Sequence, residues 1–151
     1  MTNDKRQLLE KQMPQMCKAV DSLAWSLKRC LPLPIASLDA AGQEKIEALT
    51  VRFVRVSDIL IQKIFRLVDD LEMNHSGTIR DRINRMEEKG LIGSARDFIE
   101  IRELRNAIAQ AGDDDASGTL YRDVIRLSPL LICTPDNVRH YLGSRVASAG
   151  M

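Results

Sequence analysis

DAAGQEKIEALTVRFVRVSDILIQKIFRLVDDLEM (residues 39–73) carries Ile46, Leu49, Phe53, Val56, Leu60, Ile64, Leu67 and Leu71 at steps of three and four. Residues so spaced share one face of an α-helix, so the stretch predicts a single long amphipathic helix. Its apolar stripe needs a partner along its whole length. An antiparallel bundle or a dimer seam would supply one. Arg52, Arg55, Lys63 and Arg66 fall on the polar faces, where they mark either a solvated surface or the border of an RNA groove.

On the N-terminal side, Leu9, Met13, Met16, Val20, Leu23, Leu27 and Leu31 form a second stripe of the same kind. Pro14 interrupts it, so this helix either starts there, with proline in its first turn, or bends there. Trp25 and Met16 are assigned to the core. Pro32 and Pro34 in LPLPIAS (residues 31–37) end the helix, because proline pushes its predecessor toward extended geometry. On the C-terminal side, Thr78 with Asp81 three residues later has the form of a capping box. Gly90 sits where a left-handed cap belongs, with Leu91 behind it as an apolar clamp. Ser94 with Asp97 repeats the start signal for a helix bearing Phe98, Ile101, Leu104 and Ile108. Asp113, Asp114 and Asp115 read as helix-capping acids. A last apolar helix (Leu120, Val124, Leu127, Leu131) is expected to bend at Pro129 and restart at Thr134-Pro135. Arg80, Arg82 and Arg85 beside Asp81, Glu87 and Glu88 read as surface pairing. No strand-like alternation occurs, so the expected fold is all-α: one domain over residues 1–151, an antiparallel bundle of five to six helices, with a frayed tail from about residue 147.

Bulk properties narrow the function classes. The 151 residues are 44% hydrophobic and 28% charged with net charge +1, an ordinary globular balance. That charge gives no broad basic face for nucleic acid, so any RNA contact must be local, made by a few arginines in a cleft. Aromatics are only 4%, which argues against a base-stacking platform. Three scattered cysteines and two histidines, His75 and His140, lack metal-ligand spacing, so neither a metal nor a cofactor is expected. There is no apolar run of membrane-spanning length and no signal-peptide core, so a cytoplasmic protein is expected.

The chemistry-bearing stretch is FIEIRELRNAIAQAGDDD, residues 98–115. Arg102-Glu103-Leu104-Arg105-Asn106-Ala107-Ile108-Ala109 resembles the signature helix of HEPN proteins. In that helix an Arg and a polar residue precede a His by four to six positions. The HepT-like toxin group is the most similar, often reading R-E-L-R-N-x-I-A-H with a Tyr two residues beyond the His. Residues 52–72 and the segment EEKGLIGSARDFIEIRELRN (87–106) extend the resemblance, which spans about residues 20–145. Two positions depart from the pattern: Gln110 stands at the His position and Gly112 at the Tyr position.

The resemblance implies a metal-independent endoribonuclease toxin in which a ribose 2′-hydroxyl attacks the adjacent phosphate. Such chemistry needs a proton carrier near neutrality, the imidazole, and a fixed cation for the developing charge, the guanidinium. It assigns Arg105, Asn106 and position 110 to the site, formed in a homodimer and neutralised by an MntA-like nucleotidyltransferase antitoxin. Gln110 cannot exchange a proton near neutral pH, so activity is expected to be weak or absent. Gly112 removes the hydroxyl that a nucleotidyltransferase modifies in that group. The alternative implied is a non-catalytic substrate- or nucleotide-binding subunit of a small nucleotidyltransferase. Arg105 itself is open to either role, phosphate binding or an ion pair with an acidic neighbour.

Overall fold

A computed structural model describes residues 2–74, 76–111 and 118–149, with side chains for residues 4–74, 76–111 and 118–145. Among them there is no strand. The helices are α1 (Thr2–Cys30), α2 (Ala40–Asp58), a π-helical turn (Ile59–Ile64), α3 (Phe65–Leu71), α4 (Ile79–Glu88), α5 (Ala95–Ala111), α6 (Gly118–Ile132) and α7 (Thr134–Ala149), with a single 3-10 turn (Ile35–Ser37) in the α1–α2 connection. α2, the π turn and α3 run on as one rod, the long helix read from residues 39–73. Only Cys133 separates α6 from α7. Counting that pair as one bent rod or as two gives five or six helices among the described residues, the 3-10 turn aside. His75, Gly112 and the Asp113–Asp115 run lie outside the described residues, as do the side chains of the tail.

α1 runs antiparallel to the long helix. At one end the Cys30 thiol donates to the Lys45 carbonyl at 3.3 Å, and at the other Lys5 pairs with Asp70 at 3.6 Å. Leu9, Met16, Val20, Leu23 and Leu27 face the core, but the stripe closes on buried Cys30, leaving Leu31 61% exposed. Pro14 lies inside α1, so the helix starts well before it. Trp25 is a correction to the sequence reading: it is 58% exposed, not core.

The π turn has a readable cause and effect. The Phe65 N–H donates to the Leu60 carbonyl, five residues back, so this turn holds one residue more than an α-turn. The apolar stripe shifts by one position beyond it. Phe65 and Val68 are fully buried, while Leu67, on the uninterrupted stripe, is only partly so. Phe65 then meets Phe98 of α5 with ring centroids 5.8 Å apart.

The helix ends follow their sequence signals. The Asp39 carboxylate caps α2 at 2.7 Å from the Gly42 N–H. Thr78 and Asp81 form the full capping box of α4. These hydrogen bonds from Thr78 hold the Asp81 carboxyl below its usual pKa. Gly90 has φ +80°; its N–H donates to the Glu87 carbonyl and the Leu91 N–H to the Met86 carbonyl. That is a Schellman end with buried Met86 and Leu91 in the expected clamp positions. The Ser94 hydroxyl accepts from the Asp97 N–H at 3.2 Å as α5 begins.

Arg82 and Arg85 are not surface pairs. Both reach Asp69 of α3, which is 1% exposed. Arg85 binds it through two nitrogens at 2.9 and 2.8 Å, and Arg82 through Nε at 3.1 Å. Sequence neighbours suggested i, i+3/i+4 pairing, but the phase shift at the π turn turns Asp69 inward toward α4. α7 is tied back by the Tyr141 hydroxyl donating to Glu72 at 3.0 Å and by Asn137 donating to the Leu91 carbonyl.

Candidate functional site

α5 packs against α2, and a cleft of about 640 Å³ lies beside that contact where α2 runs into the π turn. Its walls are Gln15 of α1, Arg55, Ser57 and Asp58 of α2, Ile59, Ile61, Gln62 and Lys63 of the π turn, and Arg102, Arg105 and Asn106 of α5. π-helical turns recur at functional sites because the widened turn displaces side chains that an α-helix would stack in register. Here the cleft opens against that turn, with Gln62 and Lys63 exposed.

Arg105 and Asp58 face each other across the cleft in a two-bond fork, Nε to one carboxylate oxygen at 2.8 Å and Nη2 to the other at 3.0 Å. The carboxylate raises the guanidinium pKa further, so Arg105 carries its charge at any working pH. The side chains keep 34% and 40% exposure, so the fork is open to water. A guanidinium has five N–H donors. Two go to Asp58, leaving three for a ligand. The Ser57 hydroxyl is already spent on the Phe53 carbonyl at 2.8 Å.

Around this pair stand Arg55, Lys63 and Arg102, none of which forms an ion pair among the described residues. Among the described residues, four cations against one carboxylate give the cleft a formal charge of +3, although the chain as a whole carries +1. Such a site attracts anions. Planar guanidinium forks suit phosphate oxygens, and the Asn106 amide adds a hydrogen-bonding group that can serve as donor or acceptor.

Of the three motif positions, the fold brings Arg105 and Asn106 into the cleft, while Gln110 is exposed near the end of α5 and does not line it. The spacing from Arg105, about 140° around and about 7.5 Å along a helix, would let both border one shallow cleft, but Gln110 is not among the residues walling this one. His140 is exposed on α7. Asp58 and Arg102 went unread in the sequence as site residues. The available signal was Ser57-Asp58, a polar pair interrupting the most apolar stretch of the long helix. No group of metal-ligating residues and no helix long and apolar enough to cross a membrane occurs among the described residues. No family model, no curated protein and no solved structure matches this chain.

Proposed function

We propose that this chain is a HepT-like HEPN protein that holds RNA phosphates in the cleft at the π turn. In this reading it is a metal-independent ribonuclease toxin by descent, with cleavage weak or absent because Gln110 replaces the family His. The observation that carries the reading is the +3 cleft walled by the Arg105-Asn106 motif. Arg105 supplies the cation for a developing phosphorane, and Arg55, Lys63 and Arg102 hold the flanking backbone. A two-fold homodimer would bring a second copy of the α5 end, with Gln110, toward the site. The partner in this reading is an MntA-like nucleotidyltransferase, and the setting is the cytoplasm.

A second reading is favoured by the cleft's composition. Among the described residues Asp58 is its one acidic side chain, tied to Arg105, and no imidazole, thiol or phenol lines the walls. Such a cleft binds without moving protons. It suits a non-catalytic subunit that presents a nucleotide or RNA to a nucleotidyltransferase.

Cleavage of mixed cellular RNA separates the two. The chain as it stands is expected to be inert or slow, Gln110→His to cut, and Arg105→Ala/Gln110→His to lose that gain. Restoring a general acid/base is worth about 10²- to 10⁴-fold in rate. Silence from all three, with RNA binding retained, favours the non-catalytic subunit. Efficient cutting by the unaltered chain sinks the account of the missing base.

A further inference from the structure

Trp25 is the chain's one tryptophan, and it lies in the open on α1. The Arg29 guanidinium sits over its ring at 4.7 Å from the centroid, and that of Arg52 at 5.5 Å. Arg52 is held there by donating to the Ser26 hydroxyl. Two grooves, of about 610 and 160 Å³, are both walled in part by the indole. Lys18, Arg29, Lys45 and Arg52 line them against Asp21 and Glu44.

An indole this exposed costs solvation, and two cations laid on it suit an anionic, planar ligand. Apart from Trp25, Pro14, Cys17 and Ala48 the lining residues are polar or charged, with four cations against two carboxylates among the described residues, the balance an anionic ligand needs. The platform also joins the cleft. Arg52 and Arg55 are three residues apart on α2, about 4.5 Å along the axis, and Pro14 and Gln15 are neighbours on α1. The α1–α2 seam thus carries a stacking surface at one end and phosphate-binding cations at the other.

We infer that Trp25, with Arg29 and Arg52, is a base-stacking platform that takes the next part of a single-stranded RNA whose phosphates occupy the cleft. This rests on the RNA-binding reading above and names the form of RNA, since a base within a duplex has no free face to stack. A base meets either the indole or the guanidinium planes across it, and both are stacking surfaces.

Because Trp25 is the only tryptophan, its emission reports this surface alone. The full chain is titrated with a short single-stranded oligoadenylate and, separately, with inorganic polyphosphate. Binding is followed by anisotropy of labelled oligoadenylate, with polyphosphate as competitor, beside tryptophan emission. Oligoadenylate is expected to quench Trp25 in step with binding, and polyphosphate to bind without quenching. Trp25→Ala should weaken oligoadenylate by about 5- to 150-fold, the loss of one stacked base. It should leave the polyphosphate affinity and the salt dependence unchanged, because no charge is removed. Tight oligoadenylate binding with silent emission and an indifferent Trp25→Ala overturns the platform and leaves the cleft reading standing. Equal quenching by polyphosphate overturns it too. Emission that follows protein concentration, with Trp25→Ala breaking a dimer, makes this face a subunit seam instead. Absence of any oligoadenylate binding sinks both readings together.

Discussion

Two arginine–aspartate contacts in this molecule look alike as geometry and differ as energetics. Asp58 is open to water, so its fork with Arg105 is screened, and Asp58→Ala is expected to cost less than about 1 kcal/mol. Asp69 is sealed between α3 and α4, with Arg82 and Arg85 only 19% and 13% exposed. Asp69→Ala would leave two poorly solvated cations without a counter-charge, and a loss of about 3–5 kcal/mol is expected. Chemical denaturation of the two variants side by side checks the contrast. A comparable loss from both would mean that the Asp58 fork is structural. The sequence showed the arginines and the aspartates but not which were joined. Asp69 precedes Arg82 by thirteen positions and Asp58 precedes Arg105 by forty-seven, so nothing local linked them. Trp25 misled for a related reason: an aromatic beside an apolar stripe is read as buried, and its arginine partner from α2 is a tertiary contact.

The long helix was legible as an element and illegible as a phase. Its stripe through Val56 and Leu60 is the one that folds inward, and capping at Thr78 and Gly90 follows from residue type alone. Beyond Leu60 the run is apolar at so many positions that two registers fit it equally well. The π turn selects the one with Val68 inside. Val68→Lys is therefore expected to cost more than about 4 kcal/mol, a charge forced into the core. Leu67→Lys should cost about 1 kcal/mol, since its long stem can carry the ammonium to solvent. The opposite order in an unfolding series would show that the helix runs uninterrupted. Cysteine labelling tests the neighbouring α1–α2 packing. Cys30 is buried, and burial pushes its thiol pKa up, whereas Cys133 is exposed. Cys133 should react first under native conditions, and Cys30 only on opening of the helix pair.

At the scale of the whole molecule, α7 is docked by Tyr141 on Glu72. Burial and that hydrogen bond raise the phenol pKa from 10 to about 12. The sign follows from the folded value exceeding the ordinary one. The contribution is complete below pH 10 and lost as the pH rises through about 12. Tyr141→Phe should therefore lower stability at neutrality, where the contribution is complete, and flatten the alkaline limb measured from pH 9 upward, the two chains converging as the pH passes about 12. The +3 cleft makes a further molecular prediction. An RNA oligomer at about a hundred times its Kd should raise unfolding free energy by about 2.7 kcal/mol, and the gain should fade with added salt. Its absence would leave the cleft without its proposed ligand. Net charge could not reveal this, because a sum over 43 charged side chains, 22 basic and 21 acidic, carries no positions.

The π turn also has a consequence for comparison between chains. One surplus residue inside Ile59–Ile64 is what an insertion leaves behind when a helix absorbs it instead of looping it out. An alignment of this chain with one whose helix is unbroken needs a one-position gap within that window. Without it every pair from Phe65 to Leu71 is matched one place out of step. Surface letters are then scored against core letters along the segment that delivers Asp69.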